Sequence, residues 1–539
     1  MTEKKNSPHW WKTAIFYHIY PQSFYDTNGD GVGDLEGIRQ KLDYLRQLGI
    51  DAIWLSPVYA SPLADEGYDI SDYTAIHHRY GTMEDLNRLL KEAHSRNIRV
   101  IMDLVLNHTS DLHPWFTEAR SSVTHSRRDW YIWHPGQKGR KPNNWLTNFG
   151  RSAWKKDEAT GEYYYHSFFP EQPDLNWRNP NVKKAMFNIV EYWLAKGIDG
   201  FRLDVANMLF KEERLTNNPV WALVSDRKVY NRNQPEVYEL LRAFRRLLNR
   251  YPGRVSIGEI YVSPPGNSQL AASFTGNGSD MLHMAFDFTL IFTRWNAKAF
   301  YQAIYKYYQA LANRGWPCFV FSNHDLGRAV NHYLLPRDNE KKAKLLATLL
   351  LTLRGTPFIY YGDEIGMCNR HIPRSRIRDR YGRMLHPFYT GRDKARTPMQ
   401  WDNTPHAGFS PASPWLPVHA NYRQCNVAVQ QSQQDSVFIY YRKLLQLRRE
   451  HPALQLGEIH FLHKGEAGYL LYERVLGKEY CWVVLNFSPF PKEIEKLPED
   501  IPLIICHSSD YRRVSGTVAH PLQLFPYEAV VIGKGSFSI

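Results

Sequence analysis

Four short segments end in residues able to move protons or hold charge: DLVLNH (Asp103, Asn107, His108), GFRLDVAN (Arg202, Asp204), GEIY (Glu259) and SNHD (His324, Asp325). Each opens as an apolar, strand-like run and turns polar at its carboxyl end. A single aspartate in such a place is more often a turn or helix-cap residue. Fold stability, however, gives no reason to aim Asp204, Glu259 and Asp325 at one spot. Three carboxylates brought together repel one another, and the pKa of one rises, which is the state a general acid needs.

The elements that bring these ends together repeat along the chain. LEGIRQKLDYLRQLG, with helical period, leads into the strand-like DAIWLSPV, and EDLNRLLKEAHSRN leads into IRVIMDLVLNH. VKKAMFNIVEYWLAKG precedes IDGFRLDVAN, QPEVYELLRAFRRLLNRYPG precedes RVSIGEI, FYQAIYKYYQALANRGW precedes PCFVFSNHD, and KKAKLLATLLLTLRG precedes TPFIYYGDE. IFYHIYPQSF and MLHMAFDF supply two further strands, and SVFIYYRKLLQLRREH a last helix. Apolar strands alternating with amphipathic helices belong to a parallel sheet covered on its outside. Eight of them, with no GxGxxG or P-loop turn, predict an α/β protein built as a closed (β/α)8 TIM barrel, whose strand carboxyl ends open on one face. The barrel is assigned to residues 1–106 and 173–457, with an inserted loop-rich subdomain after strand 3 at 107–172. Short alternating runs such as GYLLYERV and EYCWVVLNFS predict a C-terminal antiparallel β domain, a β-sandwich at 458–539.

Composition narrows the classes. The 539 residues are 43% apolar and 22% charged, which suits a large folded core and excludes a disordered tail. The longest apolar stretch, Leu345 to Leu353, is far short of the about 18–20 residues of a membrane helix. MTEKKNSPHWWK has charge but no apolar centre, so the expectation is a cytoplasmic protein without a membrane partner. Cys318, Cys368, Cys425, Cys481 and Cys506 are odd in number and scattered, which predicts reduced thiols. The net charge of +13 includes a run of Arg370, Arg374, Arg376, Arg378, Arg380 and Arg383 after the eighth strand, but no nucleic-acid-binding module accompanies it.

The four strand-end motifs, in this order, resemble those of the α-amylase superfamily of retaining glycoside hydrolases, and QPDLNW (Gln172 to Trp177) resembles the added motif of its α-glucosidase and oligo-1,6-glucosidase branch. The resemblance covers nearly the whole chain. It implies Asp204 as nucleophile, Glu259 as acid/base and Asp325 as transition-state stabiliser, with Arg202 holding the nucleophile ionised at a low pKa. It assigns His108 and His324 to sugar hydroxyls. In the segment DEGYD it implies that Tyr68 stacks under the terminal sugar and Asp65 grips its far hydroxyls, with Arg396 as the partner of Asp65 and Arg392 nearer the leaving group. A pocket closed in this way permits only exo-cleavage.

DTNGDGVGD offers oxygens from Asp26, Asn28, Asp30, the Val32 carbonyl and Asp34, like the start of an EF-hand, but Gly37 stands where the closing glutamate belongs. The resemblance implies one structural Ca²⁺ or Mg²⁺ in this loop and no organic cofactor. The implied activity is a retaining exo-α-glucosidase acting on short oligosaccharides, in a monomer or homodimer. Val205 after the nucleophile favours α-1,6 bonds, whereas the stretch from Asn217 to Glu236 and LHMAFDF look more like broad bacterial α-glucosidases. Alternatives are a trehalose-6-phosphate hydrolase, to which the basic run would offer a phosphate rim, or a glucosyl-transferring or isomerising relative. A non-catalytic scaffold of the same fold is expected to have broken motifs, and these are intact.

Overall fold

A computed structural model describes residues 9–223, 229–261, 266–312, 314–333, 339–495, 497, 503–513, 516–518 and 520–534. Most of MTEKKNSPHWWK and residues 224–228 of the stretch from Asn217 to Glu236 lie outside the described residues. Eight parallel strands close into a barrel: β1 (Phe16–Ile19), β2 (Ala52–Leu55), β3 (Arg99–Leu104), β4 (Gly200–Leu203), β5 (Val255–Glu259), β6 (Met284–Phe286), β7 (Cys318–Val320) and β8 (Thr356–Tyr360). Neighbours in the chain are neighbours in the sheet, and β8 pairs back onto β1. The strands are buried on both faces, which is why their sequences read as unbroken apolar runs.

The outer layer follows from helical spacing. α1 (Leu35–Gln40) and α2 (Leu42–Leu48) divide the first expected helix at Lys41, whose ammonium lies over the rings of Tyr25 and Trp401 at 4.0 and 4.3 Å. α3 (Met83–Ser95) begins at a capping box of Thr82 and Asp85 and buries Leu86, Leu89, Leu90 and Ala93, positions three and four apart. α4 (Pro180–Ala195), α5 (Glu236–Leu248) and α6 (Ala297–Leu311) bury one face at the same spacing, whereas α7 (Asn339–Thr352) is buried at every residue from Lys342 to Thr352.

Inside the barrel the side-chain period of two sets what reaches the carboxyl-end face. Phe16, Ile101, Ile257, Phe286, Val320 and Phe358 fill the interior. Two residues beyond Ile101 is Asp103, and two beyond Ile257 is Glu259. Register pairs Asp103 with Arg202 and Arg202 with Ile257, so Asp103 and Arg202 share a layer and Glu259 stands one layer above. β4 comes so close to β5 that only glycine fits at its start: a Cβ on Gly200 would lie 2.1 Å from the Val255 carbonyl oxygen.

Between β3 and α4 the chain forms a small three-stranded antiparallel sheet (Trp133–His134, Tyr163–Tyr165, Trp154–Lys156) around Trp145, Trp154 and Tyr165. It is tied to the barrel by a fully buried pair, Lys211 Nζ to Asp174 at 2.5 Å, with Lys211 also donating to Asn107 at 2.8 Å. Beyond α8 (Arg380–Leu385), α9 (Val437–Glu450) and α10 (Pro452–Leu456) come β9 (Glu458–Lys464), β10 (Tyr469–Leu476), β11 (Glu479–Asn486), β12 (Leu503–Ser508) and β13 (Ala529–Lys534). They form one sheet in the order β9-β10-β11-β13-β12. One face, with Tyr472, Val483 and Leu485, joins the barrel core, and the other is packed beneath a two-stranded ribbon (Lys492–Ile494 with Leu522–Leu524). The second layer of the expected sandwich is thus only this ribbon. Buried Arg448 and Arg474 bond backbone carbonyls at the junction, including those of Leu351, Gly355, Leu454 and Gly457. No helix among the described residues is long and apolar enough to cross a membrane.

Gly200→Ala should destabilise the protein by about 2–4 kcal/mol, because the new methyl meets backbone that cannot yield without breaking the β4–β5 ladder. A melting temperature equal to that of the parent protein would show that the barrel accommodates the methyl.

Candidate active site

Arg202, 1% exposed, stands at the centre of the barrel mouth with three carboxylates around one guanidinium. Nη1 reaches Asp204 at 2.7 Å and Asp103 at 3.2 Å, and Nη2 reaches Glu259 at 2.5 Å. The cation lies 5.2 Å from the Trp54 ring centre, and Trp54 Nε1 donates to Asp103 at 3.1 Å. Burial raises the Asp103 pKa to about 6 against the opposing pull of Arg202. Burial also pushes Asp204 well above the usual carboxylate range, and the charges of Glu259 and Asp103 add to it, while Arg202 opposes. Asp204 is therefore not held at the low pKa expected: its burial outweighs Arg202, whose charge is also shared with Asp103 and Glu259.

Val205, directly after Asp204, adopts φ 34°, ψ 50°, in the left-handed region that β-branched residues avoid. Its backbone N–H faces Glu259 Oε2 at 3.4 Å. The strained turn carries the chain from β4 into the short helix Ala206–Met208 and leaves Asp204 at the rim.

Across the mouth, Tyr68 and His324 lie with ring planes 2° apart and centres 5.6 Å apart. The Tyr68 hydroxyl donates to Asp103 at 2.8 Å and contacts His324 Nε2 at 2.7 Å. Burial drives the His324 pKa down to about 3, so the imidazole is neutral near pH 7. His324 Nδ1 is buried without a hydrogen-bond partner among the described residues. His108 is held by the Tyr68 carbonyl at 3.1 Å and by Gln172 at 3.1 Å.

The arginines after β8 arrive in the reverse of the expected order. Arg392, not Arg396, pairs with Asp65, at 2.6 Å, while Arg396 bonds Asp325 at 2.7 Å and the His324 carbonyl at 2.9 Å. Both belong to a loop without helical or strand period, so their separation of four residues carries no direction. Burial acts against the charge on Asp325, but His324, Arg392 and Arg396 together hold it well below its ordinary pKa.

Four residues outside the sequence-derived site support it. Asp103 was visible at a strand end but given no role, although it contacts both Arg202 and Tyr68. Asp379, buried within the arginine-rich run, accepts from the Arg392 backbone and guanidinium, both at 2.8 Å, and its pKa falls to about 2 because Arg392 outweighs burial. Gln172, in the QPDLNW segment, bridges Asp65 and His108. Lys211 anchors the segment after β3 through Asn107. Of the arginine run, Arg374, Arg376, Arg378 and Arg383 are exposed, whereas Arg380 pairs with Glu171 at 2.7 Å and lies over Phe169.

The first loop holds the five expected metal-ligand residues in one turn. Asp26 accepts from the Gly29 and Gly31 backbone and from Ser410, and Asp34 caps α1 through Gly37 at 2.6 Å. The Val32 carbonyl accepts no hydrogen bond among the described residues. Burial raises the Asp34 pKa, and the charge of Asp26 adds to the rise. Two buried carboxylates and a carbonyl without a hydrogen bond on one turn are donors of the type a hard divalent cation takes, although the carboxylate oxygens of Asp26, Asp30 and Asp34 do not all lie within 4.8 Å of one another.

The barrel and the carboxylates at its carboxyl-end face belong to a known class. The chain belongs to the α-amylase family, whose catalytic domain matches residues 18–457. It is an enzyme of that family's glycoside hydrolase and transglycosylase class, of α-glucosidase type. It is 41% identical over 529 residues to the oligo-1,6-glucosidase of Parageobacillus thermoglucosidasius, covering 91% of this chain and 92% of the relative. The trehalose-6-phosphate hydrolase of Bacillus subtilis is 37% identical, over 97% of this chain and 98% of the relative. Among solved structures, the trehalulose synthase MutB from Pseudomonas mesoacidophila MX-45 superposes with a TM-score of 0.91 at 37% identity, covering 97% of this chain and 99% of that one.

The raised carboxylates set a pH dependence. As pH falls through about 6, Asp103 takes up a proton, so kcat/KM should decline on the acid side, and the upward shift of Asp204 by burial and by the charges of Glu259 and Asp103 acts in the same direction. Asp103→Asn removes one of the charges that raise Asp204, so the acid limb should move to lower pH. A limb that stays in place in that variant would separate Asp103 from the titration.

Proposed function

We propose that the protein is a retaining, exo-acting α-glucosidase that removes terminal α-linked glucose from short oligosaccharides, with α-1,4 bonds, α-1,6 bonds or both as substrates. The observation that carries this reading is the single guanidinium of Arg202 in contact with Asp204 and Glu259. Carboxylates on adjacent nitrogens of one cation favour the short separation of retaining enzymes, about 5–5.5 Å, over the wider gap that admits a water in inverting ones. Asp204 attacks the anomeric carbon while Glu259 protonates the departing oxygen. Glu259 then takes a proton from water, which releases glucose from the Asp204 ester. Asp325, kept ionised by its arginines, stabilises the oxocarbenium-like charge that develops in the transition state of each step.

The Asp65–Arg392 pair supports the exo assignment: a buried ion pair at one end of the cleft stops a chain from passing through. Tyr68 and His324 offer a flat face and polar atoms for the terminal ring, and His108 lies beside them. A second reading, glucosyl transfer or isomerisation, shares the same covalent step and differs only in whether water or a sugar hydroxyl takes the glucosyl group. The structural likeness to a trehalulose synthase favours keeping it in the test. We also propose Ca²⁺ or Mg²⁺ at Asp26, Asn28, Asp30, Val32 and Asp34, where the ion offsets the Asp26–Asp34 repulsion and stiffens the turn before α1.

Product analysis on maltose, isomaltose, sucrose, trehalose and trehalose 6-phosphate should give α-glucose from at least one neutral disaccharide. Rearranged disaccharide from sucrose would assign transfer, and activity confined to trehalose 6-phosphate would assign the exposed arginines to a phosphate. Asp204→Asn should lower kcat by several orders of magnitude in a folded protein, and near-normal turnover would remove Asp204 as nucleophile. For the cation, Asp26→Ala should lower the melting temperature by several degrees and abolish its response to chelator, with a smaller effect on kcat. A parent protein whose melting temperature ignores chelator would argue against the ion.

A further inference from the structure

Where the barrel meets the C-terminal sheet, a second group of donors converges away from the candidate active site. His451 ends α9 and opens α10, and Glu479 and Cys481 stand two residues apart on β11, so they share one face of the strand. One ligand atom from each lies within 4.8 Å of both others. His451 Nδ1 already meets Glu479 Oε1 at 3.0 Å, and Glu479 Oε2 accepts from the Ala453 backbone at 3.0 Å, which fixes the carboxylate. Cys481 is 1% exposed, and its Sγ has no hydrogen bond among the described residues. The last turn of α9 reaches Gly355, immediately before β8, so the group lies by the amino-terminal ends of the strands.

We infer that His451, Glu479 and Cys481 form a site for a borderline-soft divalent ion of the zinc type, which would clip the last barrel helix to the C-terminal sheet. The donor set decides the metal. Ca²⁺ and Mg²⁺ want oxygen ligands, whereas sulfur, imidazole and carboxylate together suit Zn²⁺. Tetrahedral zinc with bonds of about 2.0–2.3 Å needs its ligand atoms roughly 3.3–3.8 Å apart, so small side-chain rotations close the group.

Charge also balances. Zn²⁺ binds as the Cys481 S–H bond breaks and its proton leaves to solvent, so a thiolate and a carboxylate neutralise the ion in a half-buried place. Arg474 lies directly across from Cys481 in β10, but its guanidinium is taken up by the carbonyls of Thr352, Leu454 and Gly457. His451 and Glu479 keep 14% and 26% of their side chains exposed, which leaves an entry path and a fourth position for water.

The test uses the full chain in saturating Ca²⁺, so that the first-loop cation is not in play. Titration with Zn²⁺ alone should show one bound equivalent and raise the melting temperature by about 2 °C or more once the site is saturated. Co²⁺ should give thiolate-to-metal charge-transfer absorption with tetrahedral visible bands. Cys481→Ala should lose the absorption and the stabilisation while keeping glycosidase activity within about twofold, and His451→Gln should weaken Zn²⁺ binding tenfold or more. No stabilisation and no thiolate band up to tens of micromolar free metal would overturn the site. So would the same band and stabilisation in Cys481→Ala, because another thiol would then be the ligand.

Discussion

One buried cation facing three carboxylates is the constraint from which the catalytic end of the barrel is built. Arg202 is sealed from water, and an unpaired charge there would cost several kcal/mol. Asp103, Asp204 and Glu259 supply more negative charge than one guanidinium can neutralise. The excess is a reservoir of proton affinity, visible in the raised Asp103 and Asp204. Trp54 closes the cluster from below, and the Tyr68 hydroxyl is drawn to Asp103. A stability-optimised core would have fewer charges here, so the surplus is a feature of function.

The second charged group is balanced in the opposite sense. Asp325 has two arginines and a neutral histidine around it and is held well below its ordinary pKa, whereas the pKa of Asp204 across the mouth is raised. Two carboxylates in one cleft are thus kept in different electrostatic states by different ratios of arginine to acid. Arg392 is shared among Asp65, Asp325 and Asp379, so these three carboxylates are mechanically one unit. That unit rests on the segment after β8, which also contacts the inserted subdomain through Arg380–Glu171 and the Phe149–Tyr381 ring pair, 4.5 Å between centres. The pocket wall is therefore assembled from segments more than two hundred residues apart.

The parts of this arrangement legible in the sequence are those governed by short periods. Strands alternating with helices gave the barrel, and polar residues at strand ends gave Arg202, Asp204, Glu259, His324 and Asp325, because a strand fixes direction within two residues. Loop residues had no such ruler. Asp65 was paired with Arg396 where Arg392 meets it, Asp379 gave no signal within the arginine-rich run, and the Lys211–Asp174 pair carried no local signal. The depressed pKa expected of Asp204 failed for a related reason: pairwise reading of Arg202 with its nearest acid left out the burial of the pair first, and then the two further carboxylates that the β3–β4–β5 register brings within reach.

Val205 shows how the local and the collective are joined. A β-branched residue at positive φ costs of order 1–3 kcal/mol and persists only where its surroundings over-determine it. Here they do: Asp204 is pulled by Arg202 on one side, and the Val205 backbone N–H points toward Glu259 on the other. Were Val205 to relax to an extended conformation, the chain would continue along the strand direction and the turn into Ala206–Met208 would be lost. A smaller or more flexible residue at 205 would remove the strain, but it would also loosen the angle between the two carboxylates. In the retaining mechanism proposed above, which needs a narrow carboxylate separation, the strained turn and the shared cation are two halves of one positioning device.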